Sequence, residues 1–300
     1  MTAVERPARP PLLVSVVKAL RPRQWTKNIV LFLPLIFAKG VVREGLLLKS
    51  VLAFAAFSLL ASGVYLVNDW FDREKDLLHP EKKNRPIAAG HLSLGLVAGL
   101  VAALWSGAVG IGLQLSLSFL GVLGGYLALQ VLYTLGLKRL VILDVMSIAL
   151  GFIFRVVAGA VAIDVVVSNW LFLCTLLGAV FLGFAKRRHE LSSLNEDAAS
   201  HRQNLEDYSL PMLDQMMAIA AASLILAYGL YTMSDQTLAH VGNDRLKYTV
   251  PCVVYGVFRY VFLVHKRGAG GAPEKVLLSD APTIITLGIC GGIAAWALYF

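Results

Sequence analysis

Four residues at the end of an uncharged stretch, Asn68, Asp69, Asp72 and Asp76, have the types and spacing of a metal–phosphate site. The aspartates are separated by three and then four residues, so a helix would place all three carboxylates on one face with Asn68 beside them. Like charges stacked in this way repel, and the arrangement costs stability unless a cation joins it. Hard oxygen donors suit Mg2+, which is commonly held by one or two carboxylates together with substrate phosphates. A solvated helix end of mixed charge is the plainer alternative, because Arg73, Glu74 and Lys75 share the stretch. Position argues against it: acidic residues at the mouth of a membrane-crossing helix are expensive and tend to be functional.

The rest of the chain puts these residues at a membrane face. Its 300 residues are 57% hydrophobic and only 15% charged, with mean hydropathy +0.70, whereas a soluble domain carries about 25% charged residues. That composition excludes a soluble globule, a disordered chain and a disulfide scaffold, and points to an all-α integral membrane protein. Spans of roughly 20 apolar residues are expected at 28–42, 51–72, 140–163, 165–185, 215–234, 248–264 and 281–300. The charge-free run 92–137 is long enough for two, with a turn expected among its glycines, which brings the count to nine. The first span is short and contains Pro34. Residues 1–24 are expected to form a basic interfacial segment and 25–300 a single transmembrane domain. Lys and Arg concentrate before the first span and after the second, fourth, sixth and eighth, which by the positive-inside rule puts the N-terminus and the aspartates in the cytoplasm. The net charge of +8 is thereby explained without nucleic acid. Cys174, Cys252 and Cys290 lie in apolar runs without ligand spacing and read as small packing residues.

The pattern Asn68-Asp69-x-x-Asp72-x-x-x-Asp76, followed by Asn84-Arg85-Pro86-Ile87-Ala88-Ala89-Gly90, resembles the UbiA superfamily of intramembrane prenyltransferases. The resemblance implies nine transmembrane helices around a central cavity, with Asp69, Asp72 and Asp76 holding Mg2+ against a diphosphate and with Lys83 and Arg85 close to the substrate. The departures are informative. Where the family carries a second Asp-rich motif, this chain reads Phe184-Ala185-Lys186-Arg187-Arg188-His189-Glu190, with cations in place of carboxylates. Lys186, Arg187 and Glu190 are therefore expected at a site that binds phosphate directly; a topogenic basic cluster is the alternative. Tyr133 and Lys138 look like the family's Tyr–Lys motif with one residue added. Lys138 there would hold a phosphate or serve as a topology anchor.

The segment Arg21-Pro22-Arg23-Gln24-Trp25-Thr26-Lys27-Asn28, the altered motif, and Arg155 with Gly159 narrow the resemblance to the decaprenyl-phosphate phosphoribosyltransferase branch. It implies phosphoribosyl pyrophosphate (PRPP) and a polyprenyl monophosphate as substrates, with Arg23, Lys27 or Lys138 on the lipid phosphate. It also implies a bacterial-type plasma membrane and a lipid-linked pentose for cell-envelope glycan. Arg155, deep in its span, is expected to face a cavity or a partner such as Asp164. Three rivals are weaker. A prenyltransferase acting on an aromatic acceptor should keep the second Asp-rich motif. A CDP-alcohol phosphotransferase should carry DGxxAR where this chain has Tyr65-Leu66-Val67. A lipid or anion transporter should show paired repeats with broken midplane helices. Glycine-rich stretches such as 121–125 permit close packing within one chain or in a homo-oligomer.

Overall fold

A computed structural model describes residues 10–78, 82–193, 205–271, 273, 276 and 279–300. The first nine residues of the expected interfacial segment lie outside that set. Every regular element among the described residues is a helix, and eight helices are long and apolar enough to cross a membrane.

The chain begins with α1 (Leu12–Leu20), which buries Ser15 and Ala19 and exposes Leu12, Leu13, Val14 and Val17. That is the reverse of a helix on a soluble core. A 3-10 stretch, Pro22–Phe32, leads to the short α2 (Leu33–Phe37). The long helices are α3 (Leu46–Phe71), α5 (Leu94–Leu115), α6 (Leu117–Leu135), α7 (Leu143–Ala162), α8 (Asn169–Ser193), α9 (Leu210–Met233), α11 (Val250–Arg267) and α12 (Ala281–Tyr299). Two short helices, α4 (Arg73–Leu78) and α10 (Asp235–Val241), follow α3 and α9.

Two helices are central. In both α3 and α7, 61% of the apolar window is buried by protein, against 11% in α5. α7 joins two packed clusters, with Val145 among Phe181, Phe184, Leu213 and Leu263, and Ala158 among Leu31, Ala53, Phe57 and Phe119. The outer helices leave Leu113, Leu117, Leu226 and Ile285 exposed, an apolar exterior that lipid tails solvate and water does not.

The structure departs from the sequence reading at two places. The break in the run 92–137 falls at Ser116, in extended conformation, and not at a glycine. Its hydroxyl accepts the Phe119 N–H at 3.0 Å and so caps α6. The segment expected as the first span is no continuous α-helix and is not among the eight; it runs as the 3-10 stretch, α2 and a further turn at Gly40–Val42. Prolines 22 and 34 each remove a backbone donor. The 3-10 backbone lies directly on α7, where a Cβ at Gly159 would meet the Leu31 carbonyl oxygen at 2.0 Å. Irregular backbone is tolerated at membrane depth only where protein buries it, as here.

Gly159→Ala should force this seam apart at a cost of about 1–3 kcal/mol. Gly99→Ala, with open space around its Cβ position, is the control. Thermal unfolding in detergent should show a clear drop in Tm for the first variant alone; equal Tm values would contradict the close approach.

Candidate functional site

The Asp-rich stretch sits where α3 gives way to α4. The helical ladder continues through the junction: the Asp72 N–H donates to Asn68 O at 2.9 Å and the Asp76 N–H to Asp72 O at 2.8 Å. Three carboxylates therefore share one face, with Asp69 and Asp76 buried and Asp72 half-buried. Asn68 is fixed by Thr134 of α6, whose hydroxyl donates to Asn68 Oδ1 at 3.1 Å.

Arginines offset the repulsion within this face. Arg85 Nη1 donates to Asp69 Oδ1 at 3.0 Å and to Asp76 Oδ2 at 2.6 Å, so one guanidinium joins two carboxylates. Arg21 Nη2 donates to both oxygens of Asp69, at 2.5 and 2.7 Å, and its guanidinium lies 5.2 Å from the Tyr65 ring. Lys138 Nζ stands 3.9 Å from Asp72 Oδ1. Arg21 was not among the residues the sequence singled out for chemistry. It holds a left-handed backbone (φ 53°) between α1 and the 3-10 stretch, a conformation costing about 1–2 kcal/mol away from glycine. Its pairing with Asp69 holds it there.

The donor set suits a hard cation. Among the described residues no three His, Cys, Asp or Glu side chains converge as a ready-made cage. Mg2+ does not require one, because waters and substrate phosphates complete its octahedron. Asp72, whose carboxylate has only the distant Lys138 as an ion-pair partner among the described residues, is the most available ligand.

A second polar cluster lies at the far end of α8. Arg187 is fully buried; its Nε donates to Asp144 Oδ2 at 2.5 Å and its Nη1 to Glu190. Nη2 has no hydrogen-bond partner among the described residues. Lys186 Nζ is 4.0 Å from Glu190 Oε1, and Tyr133 lies within electrostatic range of Arg187. The expectation that Arg187 meets phosphate is narrowed to one nitrogen: two carboxylates engage Nε and Nη1, because a buried guanidinium without counter-charge would be prohibitively costly, and Nη2 alone is left for a further acceptor. Tyr208, unmarked by any sequence signal, completes the cluster. Its hydroxyl donates to Asp144 Oδ1 at 3.0 Å and accepts the Ile142 N–H at 2.6 Å. Burial pushes its pKa up to about 12, so it stays a neutral donor. Ile142 itself has φ 69° and ψ −45°, a strained γ-turn closed by Leu143 N–H to Val141 O at 2.8 Å.

Arg155 is held away from both clusters. Its Nε donates to Asn28 Oδ1 at 2.7 Å, Nη1 to Gly151 O at 2.7 Å and Nη2 to the Tyr126 hydroxyl at 3.2 Å. Its partners are thus not Asp164, and it serves to bind the 3-10 stretch to α7. Arg23 and Lys83 are exposed and Lys27 is half-buried. A cavity of about 210 Å3 opens beside Asp69, lined by Lys18, Arg21, Asn84, Arg85 and Pro86.

The description "UbiA prenyltransferase family" belongs to the family model that matches residues 29–277. The decaprenyl-phosphate phosphoribosyltransferase of Corynebacterium glutamicum is 35% identical over 93% of this chain and 86% of its own. That of Mycolicibacterium smegmatis is 33% identical over 98% of this chain and 96% of its own. Among solved structures, a UbiA homolog from Archaeoglobus fulgidus bound to GPP and Mg2+ is similar in fold, with TM-score 0.69 over 95% of this chain and 96% of that one at 16% identity.

Asp144→Asn should destabilise the protein by about 3–5 kcal/mol, because it strips a buried guanidinium of a charge partner. Replacing Arg187 by Met and Asp144 by Leu together should recover much of that loss. Unfolding in detergent checks both; a single variant as stable as wild type would contradict the pairing.

Proposed function

The chain belongs to the UbiA prenyltransferase family, and from that premise we propose that it transfers the 5-phosphoribosyl group of PRPP to a polyprenyl monophosphate of the decaprenyl type, releasing pyrophosphate. The observation that carries this reading is the line of Asp69, Asp72 and Asp76 set against Arg21, Arg85 and Lys138. It occurs in a chain that matches two decaprenyl-phosphate phosphoribosyltransferases over nearly its whole length.

Asp69, Asp72 and Asp76 would hold Mg2+, whose charge, when bound, stabilises the pyrophosphate leaving group. Lys138 and Arg85, already beside these carboxylates, are placed to meet further phosphate oxygens as negative charge builds on them. Lys186 and the Nη2 of Arg187, which has no partner among the described residues, offer donors from α8, with Tyr133 and Glu190 around them. Ribose C1 loses its bond to pyrophosphate, which departs with the electron pair, and gains a bond to an oxygen of the lipid phosphate. That phosphate is ionised at neutral pH, so the site needs no dedicated general base. Arg23 and Lys27, on the 3-10 stretch, would steady it while the prenyl tail lies along the apolar exterior.

The same reading sets the protein in a bacterial plasma membrane with the site facing the cytoplasm and its product feeding cell-envelope glycan assembly. The basic residues around the site, among them Lys18, Arg21, Lys83, Arg85 and Lys138, support that orientation. The 3-10 stretch with α2 supplies a ninth crossing. At roughly 2.0 Å per 3-10 residue and 1.5 Å per α residue, 22–37 reaches about 30 Å, the depth of a hydrocarbon core.

Purified protein given labelled PRPP, a polyprenyl monophosphate and Mg2+ should move label into the organic phase, and EDTA should stop it. Asp72→Asn should reduce turnover by about 100-fold or more while leaving the unfolding profile intact. Near-wild-type turnover in that variant would remove Asp72 from the site. Transfer of a prenyl group from its diphosphate to an aromatic acceptor, with no phosphoribosyl transfer, would overturn the reading itself.

A further inference from the structure

The cavity beside Asp69 has a composition that the Asp-rich face does not account for. Two of its cations, Lys18 and Arg21, come from the last turn of α1 and its C-cap, and both line the cavity. The third, Arg85, comes from the loop after α4. The N-terminal wall is anchored to α3: Ser62 Oγ donates to Leu20 O at 2.9 Å and itself accepts Trp25 Nε1 at 3.0 Å, while Ala19 is buried. Lys18 therefore stands on a fixed scaffold. Its hydrogen bond is to the Asn84 carbonyl, at a long 3.4 Å, and among the described residues no carboxylate pairs with it. The two guanidiniums share Asp69, and Arg85 also reaches Asp76. Three cations facing these two carboxylates leave the chamber with surplus positive charge. A volume of about 210 Å3 is below the roughly 300–1,000 Å3 of drug-sized pockets, and suits a phosphoryl group with a small unit attached.

We propose that this cavity is a binding site for a phosphate monoester, with Lys18 and Arg21 as its specificity-determining ligands and Arg85 opposite them. Guanidinium forks and a lysine point charge are the usual recognition set for such a dianion. Arg21 then divides its donors between Asp69 and the ligand. Two sources carry this chemistry: the 5-phosphate of a phosphoribosyl donor, and the headgroup of a prenyl monophosphate, which α1 with its exposed Leu12, Leu13 and Val17 would meet at the bilayer edge. The assignment deepens the transferase reading and rests on it for the identity of these two ligands.

The test is calorimetric titration of the intact protein in detergent with ribose 5-phosphate and, separately, with farnesyl monophosphate. Wild type, Lys18→Gln, Lys18→Glu and the remote control Lys49→Gln are compared. Lys18→Gln should weaken one ligand by about tenfold, the value of one charge-assisted hydrogen bond, and Lys18→Glu by more, with the control unchanged. In the transfer assay the KM for the corresponding substrate should rise by more than kcat changes. Loss confined to ribose 5-phosphate assigns the site to the donor, and loss confined to farnesyl monophosphate assigns it to the lipid. Absence of binding by wild type, or binding that both Lys18 variants leave intact, overturns the proposal. Lys18-dependent phosphate binding in a protein that transfers no phosphoribosyl group would sink the transferase reading and leave the site standing.

Discussion

An ion inside an apolar bundle must find counter-charge or donors, because stripping it of water costs several kcal/mol that only close pairing offsets. The arrangement of Arg21, Asp69, Arg85 and Asp76 follows from this constraint. Asp69 and Asp76 are buried on one helical face, and two arginines from separate segments converge on them. The pairing draws the end of α1, the end of α3, α4 and the following loop to one point. It also explains how a positive-φ Arg21 is tolerated. The chamber beside Asp69 exists because these segments are held there.

The same constraint recurs along α7. At one end Asp144 meets Arg187 and Tyr208. Deeper in the helix, Arg155 takes Asn28, Gly151 and Tyr126 as acceptors and lies 5.1 Å from the Phe57 ring. A neutral amide, Asn28, serves there in place of the carboxylate expected from the sequence, and the rings add a cation–π contribution. Between the last two helices, Arg259 binds both oxygens of Asp280, which also caps α12 through Thr283. The Arg259 hydrogen bonds hold the Asp280 carboxyl well below the usual carboxylate range. Arg259 thus ties α11 to the start of α12.

Much of this architecture is legible in the residues because the bilayer imposes a one-dimensional rule. A run of about 20 apolar residues must be a helix, since every backbone polar group has to be satisfied within it. Hence the long helices fall where the uncharged runs are. Helical periodicity likewise puts Asp69, Asp72 and Asp76 on one face. The rule weakens at 22–42, where prolines and a short apolar run permit several backbones and contact with α7 selects one. It weakens again in the run 92–137, where many glycines offered a turn and a serine cap made it.

The sequence by itself determined the class of the protein, the positions of the long helices after the first expected span, the line of carboxylates and the family to which the chain belongs, since each depends on local spacing or on motifs short enough to read. The tertiary structure decided which charges meet. Asp69 pairs with a residue 48 positions away and Arg187 with one 43 positions away, and no local period encodes such partners. Tyr208 closes the Arg187 cluster and Arg21 the Asp69 cluster for the same reason. A basic residue at a membrane face looks alike in sequence whether it sets topology, neutralises a carboxylate or waits for a phosphate; only its neighbours in space distinguish these, because electrostatic energy depends on distance and solvation and not on order along the chain.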